Sequence, residues 1–477
     1  MTKVRLAVCS FAVASAALAC SSSGGGSGTP GGSGASSGAA GAAGQSNTGG
    51  SSSAGASGQA AGGSAGNGGG AAGATGGGAG GDVGDGGPSC STPTAAQDCV
   101  PPSGTALPIC KLSLTGCMDA SSPTKFVAKA IPYEVNSPLW SDNAAKSRAF
   151  VLPAGGKIHV KNCMPNAGAS VLAADCTSPM GISNGPADTG KWVLPVGTVM
   201  IKNFMFDGKL VETRLLMHVD AATSTLLQNT YGFQLGADWV GYNYAWNEAQ
   251  TEATIVPNAR TQVSFNTGTR TVTWNYPNFL DCAGCHSPAV GTIGPETDQM
   301  NRMVSATSGG GMVNQIDAFK ALGLFDATAP TTPYATPMVE PYTNAALGLN
   351  DPAPTGTADA VLDQQARSYL GANCGFCHRP DVNDQGFDLR YSLSLKDTNI
   401  CNLMEQNGIP PNPQTQYADF DPGNHAQSAM WIRMNIMIPA NPGTQDYGRM
   451  PSVASNVVDT QATTLIGNWI DSIKTCP

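Results

Sequence analysis

The chain has 477 residues, a formal net charge of −9 and only 12% charged residues. Its glycine is unevenly spread, since 29 of the 60 glycines fall within residues 21–88, where serine and alanine fill most other positions. Without a three-residue glycine period this tract is not collagen. It also has too few apolar residues to offset the entropy of ordering, so it predicts a disordered linker. No basic run occurs, which argues against binding to nucleic acid.

The first twenty residues predict export. Lys3 and Arg5 precede an apolar run that ends in small residues before Cys20, which is the pattern of a secretory signal peptide over residues 1–20. The residues at Cys20 resemble an imperfect bacterial lipobox, so Cys20 is either the lipidated first residue of a lipoprotein or the residue after an ordinary cleavage site. We expect a periplasmic, outer-membrane or cell-surface protein that meets a membrane only through a lipid anchor at Cys20.

The 14 cysteines of the chain divide into groups. Cys9 and Cys20 lie at the N terminus and four others lie in the two motifs below. An even remainder in an exported chain predicts disulfides, and here it consists of Cys90, Cys99, Cys110, Cys117, Cys163, Cys176, Cys401 and Cys476. We predict that Cys163 pairs with Cys176 and Cys401 with Cys476. The other pairings stay open, as does the alternative of a few free buried thiols.

The middle of the chain predicts β structure. Residues 89–124, with four cysteines and many Pro, Ser and Thr, are typical of a small disulfide-linked entry segment. Residues 125–280 predict a β domain, a β-sandwich or β-barrel, because short apolar runs alternate with turn signals. Hairpin turns are indicated at residues 207–208 and 266–269. The apolar runs lie at residues 149–152, 157–160, 198–201, 211–219, 263–265 and 271–274.

Past residue 290 the apolar spacing becomes helical. It predicts helices over residues 299–304, 313–322, 359–370 and 460–473, the last with one apolar face. The fold class is therefore a multidomain α+β protein, in which a disordered linker and a β domain precede a mostly helical region.

Two copies of the order C-x-x-C-H carry the chemistry. Their members are Cys282, Cys285 and His286 in the first motif and Cys374, Cys377 and His378 in the second. This is the attachment pattern of c-type haem, because two thiols at this spacing reach both vinyl groups of one porphyrin and the next residue, His, becomes the proximal iron ligand. A C-x-x-C pair can also bind zinc or form a redox dithiol. Two copies in an exported chain favour two covalently attached haem c groups.

Residues 358–477 resemble a cytochrome c domain. They carry the second motif, then an Arg-Met-Pro run at residues 449–451 and a final helix with Trp469, in the order of that family. The resemblance implies a cytochrome c fold ending the chain and makes Met450 the distal ligand of the second haem, with Met434 and Met430 as rivals.

The first motif lies in a haem region over residues 281–357, and no Met-Pro run followed by a Trp-containing helix comes after it in that region. Met300 and Met303, on the helix predicted just after His286, are the leading candidates for its distal ligand. Weaker candidates are Met312, Met338, His425, His218 and His159. An open position is a further alternative, and it would permit chemistry on a small molecule.

From about residue 133 to the C terminus the chain resembles a family of exported bacterial dihaem c-type cytochromes. The matching runs lie at residues 136–142, 194–198, 212–215 and 244–247. The resemblance implies an electron carrier with a redox partner protein, such as a periplasmic quinoprotein dehydrogenase, and it supplies no substrate.

We therefore expect single-electron transfer and assign no catalytic residue. One alternative is a dihaem peroxidase-like or oxidase-like enzyme with an open first haem. Another is a partner- or carbohydrate-binding β domain to which the haems are accessory.

Overall fold

An antiparallel sheet lies at the centre of the β-rich part of the chain, and most helices follow it in sequence. The computed structural model describes residues 90–104, 108–163, 176, 185–231, 238–257, 261–305, 311–341, 359–382, 385–405, 408–409, 415–436, 448–452 and 455–476. These residues belong to one compact unit. The predicted signal peptide, Cys20 and the linker over residues 21–88 lie outside the described residues.

Both strands and helices are present, so the predicted mixed α+β class is confirmed. The strands are β1 Met118–Asp119, β2 Ser122–Phe126, β3 Ile131–Pro132, β4 Ala145–Val151, β5 His159–Val160, β6 Trp192–Val193, β7 Val199–Phe206, β8 Lys209–His218, β9 Trp239–Trp246, β10 Ala253–Ile255, β11 Thr261–Asn266, β12 Thr271–Tyr276, β13 Met303–Ser305 and β14 Met312–Asn314. The helices are α1 Ala221–Tyr231, α2 Phe279–Cys285, α3 Thr297–Met300, α4 Gln315–Ala321, α5 Asp359–Asn373, α6 Ala429–Asn435 and α7 Thr460–Ser472. None of the described helices has the length and apolar character needed to cross a membrane.

The main sheet has six strands in the order β10-β9-β8-β7-β4-β3. Its outer strands, β3 and β10, do not pair with each other, so the described strands form an open sheet and the β-barrel alternative is wrong. The edge strand β3 contains Pro132, which has no N–H to offer to a further strand. Among the described residues, three two-stranded sheets pack on it: β1–β2, β5–β6 and the β11–β12 hairpin.

The two predicted hairpin turns are confirmed. β7 and β8 are joined by Asp207 and Gly208, whose φ angles are 50° and 80°. Two successive positive φ angles are what a type I′ turn requires, and this turn matches the twist of the strands. The β11–β12 turn contains Gly268 with a φ of 93°.

One face of the main sheet, called the entry face below, packs against the segment that precedes it. Ile201, Leu215 and Tyr242 of this face lie in one core with Leu112 and Met118. Because the opposite face is covered as well, β8 is buried at most of its positions, although half of its residues are polar or charged.

The opposite face, called the motif face below, is covered at both ends. Phe150, Met200 and Leu216 are cross-strand partners on it, and Phe319 of α4 packs on this row. At the other end Trp274 of the β11–β12 hairpin packs on Phe204 with ring centroids 5.2 Å apart. Between the cluster around Phe319 and the cluster around Trp274, this face carries polar residues.

The predicted C-terminal helices pack on each other. α5 contributes Leu362 and Tyr369, and α7 contributes Ile466 and Trp469, to one buried core. The Trp469 indole N–H also donates to Asp363 at 3.0 Å. The apolar faces seen in the sequence are therefore used for helix-on-helix packing.

The region between the sheet and α5 differs from its prediction. The helix expected over residues 299–304 is wrong in its second half, since α3 ends at Met300 and the chain then enters β13. The helix expected over residues 313–322 begins later, because β14 takes residues 312–314 to pair with β13. Strand pairing outweighs helical spacing here, so this region is less helical than expected.

Four disulfides are present in the described residues, and they join Cys90 to Cys110, Cys99 to Cys117, Cys163 to Cys176 and Cys401 to Cys476. The two predicted pairs are confirmed, and the alternative of free thiols among these eight residues is wrong. Such pairing is typical of proteins from an oxidising compartment.

Candidate functional site

The first C-x-x-C-H motif lies on α2, beside β9 of the main sheet. Asn278 begins this helix with a capping box, since its side chain accepts from the Asp281 N–H and the Asp281 side chain accepts from the Asn278 N–H. Cys282 lies directly over Gly241 of β9, where an added Cβ would come within 2.6 Å of the Cys282 Sγ. A glycine inside a strand that is buried along nearly its whole length thus makes room for the first thiol.

His286 follows directly as the C-terminal cap of α2. Its Nδ1 lies 2.9 Å from the Gly291 carbonyl oxygen, and since a carbonyl only accepts, Nδ1 carries the proton and the Nε2 lone pair is free of it. Burial lowers the pKa of His286 to about 4. The imidazole is therefore neutral and oriented at neutral pH, which is the form that binds a metal ion.

The second motif follows α5. The Cys374 N–H donates to the Leu370 carbonyl at 2.8 Å, and the His378 N–H donates to the Cys374 carbonyl at 2.8 Å, so the helical turn continues through the motif. His378 stacks on Phe387 with ring centroids 4.9 Å apart and planes 14° from parallel. Burial, followed by the nearby positive charge of Arg433, lowers the pKa of His378 to about 4.

The Nδ1 atom of His378 is buried and has no hydrogen-bond partner among the described residues. Its stacked ring is held by packing, whereas the ring of His286 is held by a hydrogen bond.

The motif cysteines differ from all other described cysteines because they form no disulfide. Burial raises the pKa of the Cys282 thiol to about 11 and that of Cys374 to about 12. Burial and then neighbouring Cys377 raise the pKa of Cys285 to about 12. All three remain protonated, reduced thiols at neutral pH.

The two motifs lie close together in the folded chain. Cys377 of the second motif is near enough to Cys285 of the first to affect its ionisation. A cavity of about 40 Å³ lies between the second motif and the segment that follows the first, lined by Phe376 on one side and by Val290 and Gly294 on the other. Tertiary structure thus combines two sequence motifs into one site.

Residues 136–142 connect the sheet to both motif regions. The Ser137 N–H donates to Gln299 Oε1 at 2.8 Å, and Gln299 Nε2 donates back to the Ser137 carbonyl at 2.9 Å. The Trp140 N–H donates to the Asn373 side chain at 2.6 Å, and Asn373 immediately precedes the second motif. This segment therefore helps to set the distance between the motifs.

A buried ionic network makes a second connection. Asp188, which is fully buried, accepts from Arg379 at 3.0 Å and from Arg390 at 2.8 Å. Arg379 also bonds Asp381, and Arg390 bonds Asp388. Because Arg379 follows His378 in sequence, the network holds the end of the second motif against the loop that carries Asp188.

The remaining histidines each have a carboxylate neighbour. His159 Nδ1 lies 2.9 Å from Asp326 and His425 Nδ1 lies 2.6 Å from Asp471. His218 Nε2 lies 3.4 Å from Asp238, and its ring stacks on Trp239. The motif histidines, by contrast, have no carboxylate partner among the described residues.

Met450 lies in the loop before α7 and is tied to Arg433 of α6. Its N–H donates to the Arg433 carbonyl at 3.0 Å, and the same arginine is close enough to His378 to lower its pKa. Arg433 thus links the loop that carries Met450 to the surroundings of the second motif. Its rivals Met434 and Met430 belong to the core between α5 and α7.

The methionines proposed for the first motif have different surroundings. Met300 is completely buried in the core with Phe319, and its sulfur lies 3.6 Å from Gln315 Nε2. Met303, on β13, is 51% exposed. Met312 is also exposed, and Met338 is buried beside the cavity between the motifs. Their role as iron ligands stays a prediction.

Several residues of the site were not identified from sequence. Gly241 and Gly291 were missed, although a lone glycine in an apolar strand is a recognised sign of close approach. Phe387, Asp188 and Arg379 have no local signal, because their partners are distant in the chain.

No group of three or more His, Cys, Asp or Glu side chains in the described part of the chain is arranged to hold a metal ion. The sequence matches no protein-family model, no curated protein and no solved structure.

Proposed function

We propose that this chain is an exported dihaem c-type cytochrome that transfers single electrons, with one haem attached at each C-x-x-C-H motif. The observation that carries the proposal is the pairing of the two motifs in one site, where four thiols stay reduced while eight other cysteines form disulfides. C-x-x-C thiols that stay free of disulfides in an oxidising compartment are expected if they form thioether bonds to haem instead.

The chain's own residues fit a covalently held haem. Two free thiols and a neutral imidazole are available at each motif, and His286 presents its free Nε2 because Nδ1 is bonded to Gly291. His378 Nδ1 has no hydrogen-bond partner among the described residues, but this also fits a haem ligand because stacking on Phe387 positions the ring. When bound, the haem iron would supply reversible one-electron oxidation and reduction.

The protein would control that exchange through ligands and burial. His286 and His378 would each hold one haem iron, and Met450 would be a further ligand of the second haem, where a soft thioether favours Fe(II). Met300 and Met303 remain the candidates at the first haem. A cytochrome c fold for residues 358–477 agrees with the packing of α5 on α7 beside the second motif.

Closeness of the motifs favours electron exchange within the chain. The disulfides support export. We propose a periplasmic location or surface attachment through Cys20, and a redox partner protein, such as a quinoprotein dehydrogenase, that exchanges electrons with one of the haems.

A dihaem enzyme is the second candidate, and the cavity between the motifs favours it. At about 40 Å³ it has room for a few water-sized molecules, because each needs roughly 10–15 Å³ by this measure. A small oxidant would fit and a sugar would not. Peroxide consumption by the purified protein, together with a high-spin iron signal, would favour this candidate over an electron carrier.

The proposed function is tested by producing the full chain in a host that matures c-type cytochromes. A pyridine haemochrome assay on denatured protein should give two covalent haems per chain. C282S/C285S and C374S/C377S should each retain one. His159→Ala is the matched control, because His159 lies outside both motifs, and it should retain two.

Metal analysis of the same samples separates the alternatives. Absence of covalent haem together with stoichiometric zinc would assign the motifs to zinc binding. Absence of both, with new disulfides inside the motifs, would assign them to a redox dithiol. Either result would refute the proposal.

A further inference from the structure

A row of basic residues crosses the motif face of the main sheet. Arg148 of β4 is the direct cross-strand partner of Lys202 of β7, which is the partner of Arg214 of β8. Directly opposed residues in antiparallel strands point to the same face. Three cations therefore lie side by side between the two apolar clusters of that face, and Lys146, two residues before Arg148, lies on the same face.

This row begins beside the first motif. Gly241, over which Cys282 lies, is the partner of Leu216 on β8, and Arg214 is two residues before Leu216 on the same face. The charge of Arg214 acts on both Cys282 and Cys285. Lys202 and Arg148 lie one and two strands farther away.

Among the described residues, the row is only partly neutralised. Arg214 is paired with Glu212 at 2.9 Å, but Arg148 has only Glu134 at 3.8 Å, and Glu134 is 53% exposed. Lys202 forms no hydrogen bond or ion pair with any described residue, and its ammonium lies 5.1 Å from the centre of the Phe204 ring.

The electrostatics agree with this excess of positive charge. Burial lowers the pKa of Lys202 well below its ordinary value of 10.5, and repulsion from the neighbouring cations lowers it further. Burial and then Arg148 lower the pKa of Lys146 to about 7. The other charged groups that act on the row are Asp142, Arg302 and Asp459. Like charges opposed across strands are destabilising, so an anion bound here would reduce the repulsion between these cations.

The chemistry of a c-type haem supplies such an anion. Its two propionate carboxylates lie on the porphyrin edge away from the vinyl groups that react with the cysteines. Strands are about 4.7–4.9 Å apart, so Lys202 and Arg148 lie roughly 10–14 Å along the sheet from β9, where Cys282 is seated. That separation is comparable to the width of a porphyrin.

We propose that Arg148 and Lys202 bind the propionate carboxylates of the haem held by the first motif, while Arg214 neutralises Glu212. This inference rests on the proposed function. It assigns the motif face of the β domain a role in binding haem, because a guanidinium and an ammonium at this spacing suit two carboxylates. A free carboxylic acid has the same chemistry, so the test reads the haem propionates directly.

The test compares Lys202→Met, Lys202→Arg and the native chain, each matured with haem. Resonance Raman spectra report hydrogen bonding of haem propionates through their bending bands. Lys202→Met should shift one such band and lower one of the two midpoint potentials, since a lost cation favours Fe(III). Lys202→Arg should restore both. The matched control is Lys209→Met, because Lys209 lies on the same strand as Arg214, about 16 Å along it at roughly 3.3 Å per residue.

Haem content separates the two proposals. If native protein carries no covalent haem, the proposed function fails. If two haems are present and Lys202→Met leaves the propionate bands unchanged, the present inference is overturned and the proposed function stands. A lower potential with unchanged bands also overturns it, because that result reports a distant charge without contact. Arg148→Gln repeats the test if Lys202→Met does not fold.

Discussion

The two C-x-x-C-H motifs share a sequence pattern but have different supports. The first motif lies at the side of a β-sheet, and His286 is oriented by a hydrogen bond to Gly291. The second follows a helix, and His378 is oriented by stacking on Phe387, with its Nδ1 left without a partner. Ring orientation can thus be achieved by a polar contact or by packing.

This difference has a consequence for the proposed haems. A hydrogen bond at Nδ1 raises the basicity of a ligating imidazole, and a more basic ligand stabilises Fe(III). His286 should therefore hold its haem at a lower potential than His378, whose haem would also have Met450. Two unequal potentials give electron flow within the chain a preferred direction, from the first haem to the second.

The largest expected effect on the redox properties comes from removing Met450, the proposed distal ligand of the second haem. Met450→Ala should remove the methionine-to-iron absorption band and lower the higher of the two midpoint potentials, because the remaining ligands favour Fe(II) less. Optical redox titration measures both. Met404→Ala is the control, since Met404 is 49% exposed. An unchanged band would exclude Met450 as the ligand.

Among the contacts that stabilise the fold, the buried ion pairs of Asp188 with Arg379 and Arg390 should be the most costly to remove. Asp188→Asn leaves Arg379 and Arg390 in a buried site without their shared charge, so the free energy of unfolding should fall by about 3–5 kcal/mol. Urea denaturation measures it, with exposed Glu248→Gln as the control. A fall no larger than that of the control would contradict this role.

The same carboxylate predicts a pH dependence. Burial raises the pKa of Asp188, but Lys191, Arg379 and Arg390 outweigh burial, and its folded pKa is below the ordinary 3.8. Its contribution should be complete above pH 3.8 and should disappear as the pH falls through the lower folded value. The difference in stability between native and Asp188→Asn protein should therefore shrink in acid.

A smaller effect should separate the spacer residues of the motifs. At Gly375 a Cβ would lie 2.8 Å from the Leu389 carbonyl oxygen, whereas at Gly284 no atom lies within 4 Å. Gly375→Ala should cost about 1–3 kcal/mol through overpacking. Gly284→Ala is the matched control and should be neutral or gain up to roughly 0.5–1 kcal/mol, as in other helices. Equal effects in thermal unfolding would mean that the motifs are not differently packed.

The smallest effect is expected from the stacked ring. Phe387→Leu should lower stability by about 0.5–1.5 kcal/mol, the contribution typical of aromatic pairs beyond burial. It should also broaden the spectrum of the second haem only, since His378 loses the contact that orients it. A sharp, native spectrum would indicate that other contacts orient His378.

Local patterns were sufficient for much of the fold. Asp207-Gly208 specifies its hairpin because two residues that tolerate positive φ lie between apolar runs, and the apolar face of α7 predicts its packing. The helix expected over residues 299–304 failed because β13 pairs with β14, a contact that helical spacing does not encode. The β-barrel prediction was wrong because a barrel closes only if its edge strands pair with each other, and β3 and β10 do not.

At the candidate site, the reactive groups can be read from local sequence. The identity and order of Cys282, Cys285 and His286, repeated at residues 374–378, specify these groups because covalent spacing is local. Folding is needed to bring the motifs together, to set Gly241 beneath Cys282 and to align cations from separate strands in one row. Each of these depends on contacts between distant parts of the chain, and cross-strand register and packing set those contacts.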